Sequence, residues 1–184
     1  MEIEQNQPIE EQKHYPQLSE TLLSRPAKKD AVVDEPIEDW ESLRFDLPED
    51  ECNETNYADW IANASAKNYD IKARGLAELK AFSSPPQKVV NAYKTIYYIL
   101  RKKNRPYSGK MLKELFGSPK KLIEEIKSFD HSTLSYKNCV SLKKKLEGES
   151  PEATKSCSLV AAVLIDWAIT ATKLRIVSGI YEES

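Results

Sequence analysis

Three proline steps divide the C-terminal part of this 184-residue chain into helix-length pieces: Pro85-Pro86, Ser118-Pro119 and Ser150-Pro151. Proline has no backbone N–H, and in a helix interior its ring clashes with the previous turn, at about 3 kcal/mol or more. It fits the first helical turn, where that N–H has no partner. A serine precedes each step, and serine is a strong N-cap. In "SSPPQKVV" the spacing of Ser84 and Gln87 also matches a capping box. Each step therefore predicts the end of one helix and the start of the next.

The first step predicts a helix over 85–103. Val89, Tyr93, Ile96, Tyr97 and Leu100 form one apolar face, with Lys88, Asn91, Thr95, Tyr98 and Lys102 opposite and Lys94 and Arg101 beside them. Before it, residues 57–82 suit an incoming helix interrupted near Asn68. Gly75 weakens that helix by up to about 1 kcal/mol relative to alanine. "GKMLKELF", "SPKKLIEEIKSF" and "YKNCVSLKKKLEG" read as short helices, with Leu122, Ile126 and Phe129 inward. Gly117 and Gly148 are placed to terminate the first and the last of them. From Leu159 to Ile169 the chain is apolar on nearly every side, so this helix belongs among others. Asp166 is the exception, placed to reach the rim or pair with a lysine of a neighbouring element. With only five glycines, plentiful Leu, Lys, Ala and Glu, and no strand pattern, the expected class is all-α.

Charge divides the chain. Residues 1–70 hold 18 Asp and Glu against 6 Lys and Arg, a net −12. Residues 71–184 hold 11 against 21, a net +10. Residues 1–56 contain five prolines and few periodic apolar positions, which predicts an extended acidic arm. Within it, "IEDWESLRFDLPED" reads either as a docking motif anchored by Trp40 and Phe45 or as a segment that folds back onto its own basic domain. A basic module behind an acidic arm implies an acidic partner: nucleic acid, an anionic membrane or the surface of a microtubule. Ordinary solvated charge is the bland reading.

Other classes find little in the residues. No run of about 18 apolar residues offers a membrane span. The acidic N-terminus does not read as a secretory signal. Three widely spaced cysteines, Cys52, Cys139 and Cys157, read as reduced thiols, and Cys139 and Cys157 as small core residues. There is no glycine-rich phosphate loop and no metal-ligand spacing, and His14 and His131 sit in an acidic arm and a polar turn. The expectation is a protein without catalytic residues, cofactor or metal. "RKKNRPYSGK" and "SLKKKLEG" are basic, but no nucleic-acid recognition motif accompanies them.

Three stretches together resemble the microtubule-binding domain at the tip of the dynein heavy-chain stalk. "AELKAFSSPPQKVV" is similar to the point where the stalk enters that domain, through Glu78, Leu79, Lys80, Pro85, Pro86 and Val89. "FGSPKKLIEEIKSFD" is similar to its G-D-P-x-F-L segment, through Gly117, Pro119, Leu122, Phe129 and Asp130. "SPEATKSCSLVAAVLIDWAITA" looks like its final helix, through Pro151, Glu152, Ser158, Ala161, Leu164 and Trp167. The likeness covers roughly 70–172 and implies a compact bundle of about six short helices over 83–184, behind the arm 1–56 and the incoming helix 57–82. The chain departs from the family in Asp166, where a basic residue is usual, and in Tyr107, the nearest counterpart of a tryptophan. It holds no second long stalk strand and no ATPase ring.

By the resemblance, the first domain helix and the start of the last one carry the basic contacts to tubulin. The matching positions are Lys88, Lys94 and Lys155, and Arg101 and Lys102 extend the first helix. The implied function is a non-motor microtubule-associated structural protein, cytoplasmic and in the cytoskeleton of a ciliary axoneme. Its arm would reach neighbouring axonemal proteins through Trp40 and Phe45. A scaffold with the fold repurposed for another protein partner stands second, and a nucleic-acid-binding module third.

Overall fold

The structure, a computed structural model, describes residues 36–183. The expected arm lies outside the described residues up to position 35. Eight helices follow in chain order: α1 (Tyr57–Ser65), α2 (Ala73–Lys80), α3 (Gln87–Arg101), α4 (Gly109–Phe116), α5 (Pro119–Lys127), α6 (Tyr136–Leu146), α7 (Pro151–Lys155) and α8 (Leu159–Glu182). Short 3-10 turns form at Glu41–Leu43 and His131–Thr133. There is no strand among the described residues, so the class is all-α as expected. No described helix is long and apolar enough to cross a membrane.

The prolines act as the sequence implies, with two differences. Ser118 and Ser150 cap α5 and α7, their hydroxyls accepting from Lys121 N and Ala153 N, and a proline follows each. At the first step Ser84 caps nothing. Pro86 is itself the N-cap residue, and its carbonyl accepts from Val89 N and Val90 N at 2.9 and 3.1 Å. The expected continuous helix after Pro151 is also broken. α7 ends at Lys155, the chain turns, and Ser158 caps α8 by accepting from Ala161 N at 3.1 Å.

α8 is the axis of the fold. It touches α1, α2, α3, α6, α7 and both 3-10 turns, which accounts for its lack of a polar stripe. Asp166 reaches the rim and meets Lys67 Nζ at 2.7 Å, in the loop between α1 and α2. Gly75 gives α2 room to approach α8: a Cβ there would lie 2.5 Å from Val160 Cγ2. Its cost in helix propensity is thus exchanged for close packing. α3 is buried more completely than its amphipathic pattern predicts. Thr95 and Tyr98, expected to face outward, are 1% and 6% exposed. α6 covers that side, and Asn138 Nδ2 donates to the Tyr98 hydroxyl at 3.2 Å.

Residues 38–56 are not an extended arm; they form a strap packed along the C-terminal half of α8. Trp40, Leu43, Leu47 and Cys52 are buried. The Trp40 ring lies against Gly179, meets Tyr136 edge-on at 5.2 Å and lies 4.2 Å from the Arg175 guanidinium. Arg44 donates to the Cys52 carbonyl at 2.9 Å and the Tyr181 hydroxyl at 2.6 Å. Lys143 and Lys173 donate to the carbonyls of Ser42 and Asp46. Of the two readings of "IEDWESLRFDLPED", the structure has the fold-back. The partner is its own domain because Trp40 finds a notch that only a glycine leaves open.

Candidate interaction surface

The five basic positions expected on a partner-binding face have different fates. Lys88, in the first turn of α3, reaches the turn between α6 and α7. Its ammonium donates to the Gly148 carbonyl at 3.1 Å and lies 3.4 Å from Glu149 Oε2. Gly148 permits this turn with a left-handed φ of +72°. The Glu149 carboxylate is 5% exposed and also accepts from Asn91 at 2.8 Å. Lys88 is therefore half neutralised by an internal partner, although 37% of its side chain still faces solvent.

Lys155 is exposed at the end of α7. α7 has five residues, each rising about 1.5 Å, so Lys155 and the turn that holds Lys88 are separated by roughly 8 Å of helix. Of the three lysines that the resemblance matches, Lys88 reaches from α3 to the turn before α7, and Lys155 lies at the other end of that short helix. Lys94 lies further along α3, half-exposed. Burial, with Lys94 alongside adding to it, holds the neighbouring Lys145 ammonium below its ordinary value. Lys145 also sits 5.1 Å from the Tyr98 ring centre.

Arg101 and Lys102 do not extend this face freely. Arg101 is paired with Glu125 of α5 at 3.1 Å. Lys102 adopts a left-handed φ of 56° as the C-cap of α3. That turn sends its side chain inward, over the Phe129 ring at 4.8 Å, with its ammonium donating to the Ile99 carbonyl. Burial accordingly lowers its pKa. Nor do Trp40 and Phe45 form an outward docking pair. Trp40 is buried, and Phe45 is half-buried with Lys173 over its ring at 5.7 Å.

Two apolar residues that the sequence pattern places inward lie exposed on this face. Leu159 is 65% exposed and Phe82 37% exposed. Both line one shallow groove of about 260 Å³ between α2 and the start of α8, and Leu159 continues into a second of about 340 Å³ that contains Lys155 and Val163. Phe82 fits the α2 periodicity, but the helix stops at Lys80 and leaves it outside. Leu159 is the first residue of α8, on the turn that splits the expected long helix.

Among the described residues, no three His, Cys, Asp or Glu side chains group to hold a metal ion. Cys52 and Cys139 are buried, and burial pushes the Cys139 thiol up to about 12, which keeps it protonated as a core group. Cys157 is half-buried and lies in the turn between α7 and α8 rather than on a helix face. No family model, no curated protein and no solved structure matches the chain.

Proposed function

We propose that this chain is a non-catalytic, non-motor binding module that docks on an acidic protein surface, the microtubule lattice in an axonemal setting being the first partner to test. The supporting observation is the exposed Lys155 at the end of α7, with the Lys88 ammonium reaching from α3 to the turn before that helix, in a run of six helices (α3–α8) entered through Pro85-Pro86. The resemblance to the dynein stalk tip implies about six helices and a basic face; Lys155 keeps an exposed place on that face, although on its own short helix rather than at the start of the last one. Lys155, with Lys94 and Lys145 along α3 and α6, supplies positive potential that steers an acidic partner. Arg101 and Lys102 have no part in it.

The exposed Leu159 beside Lys155, with Phe82 in the adjoining groove, favours a protein partner over nucleic acid. A phosphate backbone rewards charge alone. An apolar rim rewards a protein surface with its own apolar anchor. The same observation supports the second reading, a scaffold on a non-tubulin protein.

The test is co-sedimentation of the full chain with microtubules across a salt series, with and without the acidic tubulin tails. The full chain is required because removing residues 38–65 would strip the strap and α1 from α8. Salt-sensitive binding that weakens about fivefold in Lys155→Glu, in line with one exposed ion pair, supports the reading. Binding that is absent at low salt, with helical content intact, removes tubulin as the partner. Crosslinking from Lys155 to another protein would then favour the scaffold.

A further inference from the structure

We propose that the cavity between α1, α5 and α8, remote in sequence from Lys88, is a binding site for a small single-ring aromatic carboxylate. The cavity has a volume of about 230 Å³. An apolar cavity of about 150 Å³ is enough to hold benzene, so this one has room for a ring and a short acidic substituent but not for a nucleotide. Its walls are the rings of Tyr69, Phe129 and Trp167 and the side chains of Ile71, Ile126 and Leu174. Phe129 and Trp167 meet edge to face at 5.5 Å and 78°, and a third ring extends such a cluster favourably.

Beside the neutral Ser65, Asn68 and Thr170, the charged and basic groups at this cavity are suited to an anion. Lys67, Lys127 and His131 line it, and no Asp or Glu does. Lys67 is already held by Asp166. Lys127, at the end of α5, is exposed, and its ammonium makes no hydrogen bond or ion pair with any described residue. Burial holds His131 below its ordinary value, so near neutral pH the ring keeps one N–H that can donate to a carboxylate. The Tyr69 hydroxyl is buried in the same wall beside Thr170 and Lys67, so its ring rather than its oxygen faces a ligand.

The probe is phenylacetate, titrated into the ¹⁵N-labelled full chain and followed by NMR, with 2-phenylethanol as the neutral counterpart. Saturable binding is expected with a Kd of about 1 mM, typical for so few atoms. The shifts should centre on the Trp167 indole and the amides of Tyr69, Phe129 and His131. Lys127→Ala should weaken phenylacetate about two- to fivefold, as should replacing the carboxylate by the alcohol, because one exposed ion pair is lost. Ala64→Phe, at the cavity mouth, should abolish binding of both. Circular dichroism confirms that each variant is folded, and Lys127→Ala alone still tests the charge argument if Ala64→Phe is not. No saturation up to about 20 mM, equivalent to negligible affinity, overturns the proposal. So does saturation centred on other residues, or an affinity indifferent to Lys127→Ala and to loss of the carboxylate.

Discussion

Gly179→Ala is the substitution that most sharply separates the strap from a free docking motif. In an exposed helix interior, replacing glycine by alanine stabilises by up to about 1 kcal/mol. Position 179 lies near the end of α8, and a Cβ built there overlaps three ring carbons of Trp40. Two responses are open. If Trp40 stays and the surroundings shift, overpacking costs about 1–3 kcal/mol. If Trp40 leaves, about 150 Å² or more of aromatic surface returns to water, at about 25 cal/mol per Å², or roughly 4 kcal/mol, together with the Arg175 contact. The cheaper response prevails, so after a propensity gain of about 1 kcal/mol the net loss is up to about 2 kcal/mol. In a Trp40→Ala background the clash is gone, and the same substitution should stabilise by up to about 1 kcal/mol. Urea unfolding followed by circular dichroism measures all four corners of this double-mutant cycle. A Gly179→Ala variant more stable than the parent, with Trp40 present, would refute the packing argument and return Trp40 to the role of an outward anchor.

Other expectations follow from individual contacts. Ser158→Ala removes the hydroxyl that accepts from Ala161 N and should cost about 1 kcal/mol, whereas Ser84→Ala, at a position that caps nothing, should stay within about 0.5 kcal/mol. Thermal or urea unfolding of the pair distinguishes them. Lys88→Ala leaves the Glu149 carboxylate, 5% exposed, with Asn91 as its remaining side-chain partner. Because Lys88 is partly solvated, the expected loss is about 1–2 kcal/mol, below that of a fully buried pair, and Lys88→Ala/Glu149→Gln should recover part of it. His131 makes stability depend on pH. Burial lowers its pKa below 6.5, with Arg175 also lowering it and Asp130 and Glu182 opposing. The unfolded chain then binds the proton more readily than the folded one. The His131 contribution is therefore complete above about pH 6.5 and falls as the pH drops through 6.5 toward the folded value. His131→Gln should flatten that part of a stability–pH curve, and an unchanged slope would remove His131 as its source.

Local chemistry made much of this fold legible in the sequence. Pro119 and Pro151 with their capping serines mark two helix starts, because a missing N–H and a fixed φ act within one turn and need no tertiary partner. The unbroken apolar run after Leu159 marks the central helix, because only a helix surrounded by others can bury every side. The charge division along the chain is equally a property of the sequence. What the sequence left open depended on who lies next to whom. Thr95 and Tyr98 look solvent-facing until α6 covers them. Lys102 looks like one more surface lysine until a left-handed cap turns it over Phe129. "IEDWESLRF" carries the same aromatic and acidic residues whether it waits for a partner or lies on its own domain. The choice is made by a glycine 139 positions away that opens a notch for Trp40. Burial and partner choice are decided by contacts between distant segments, and local propensity holds no record of them.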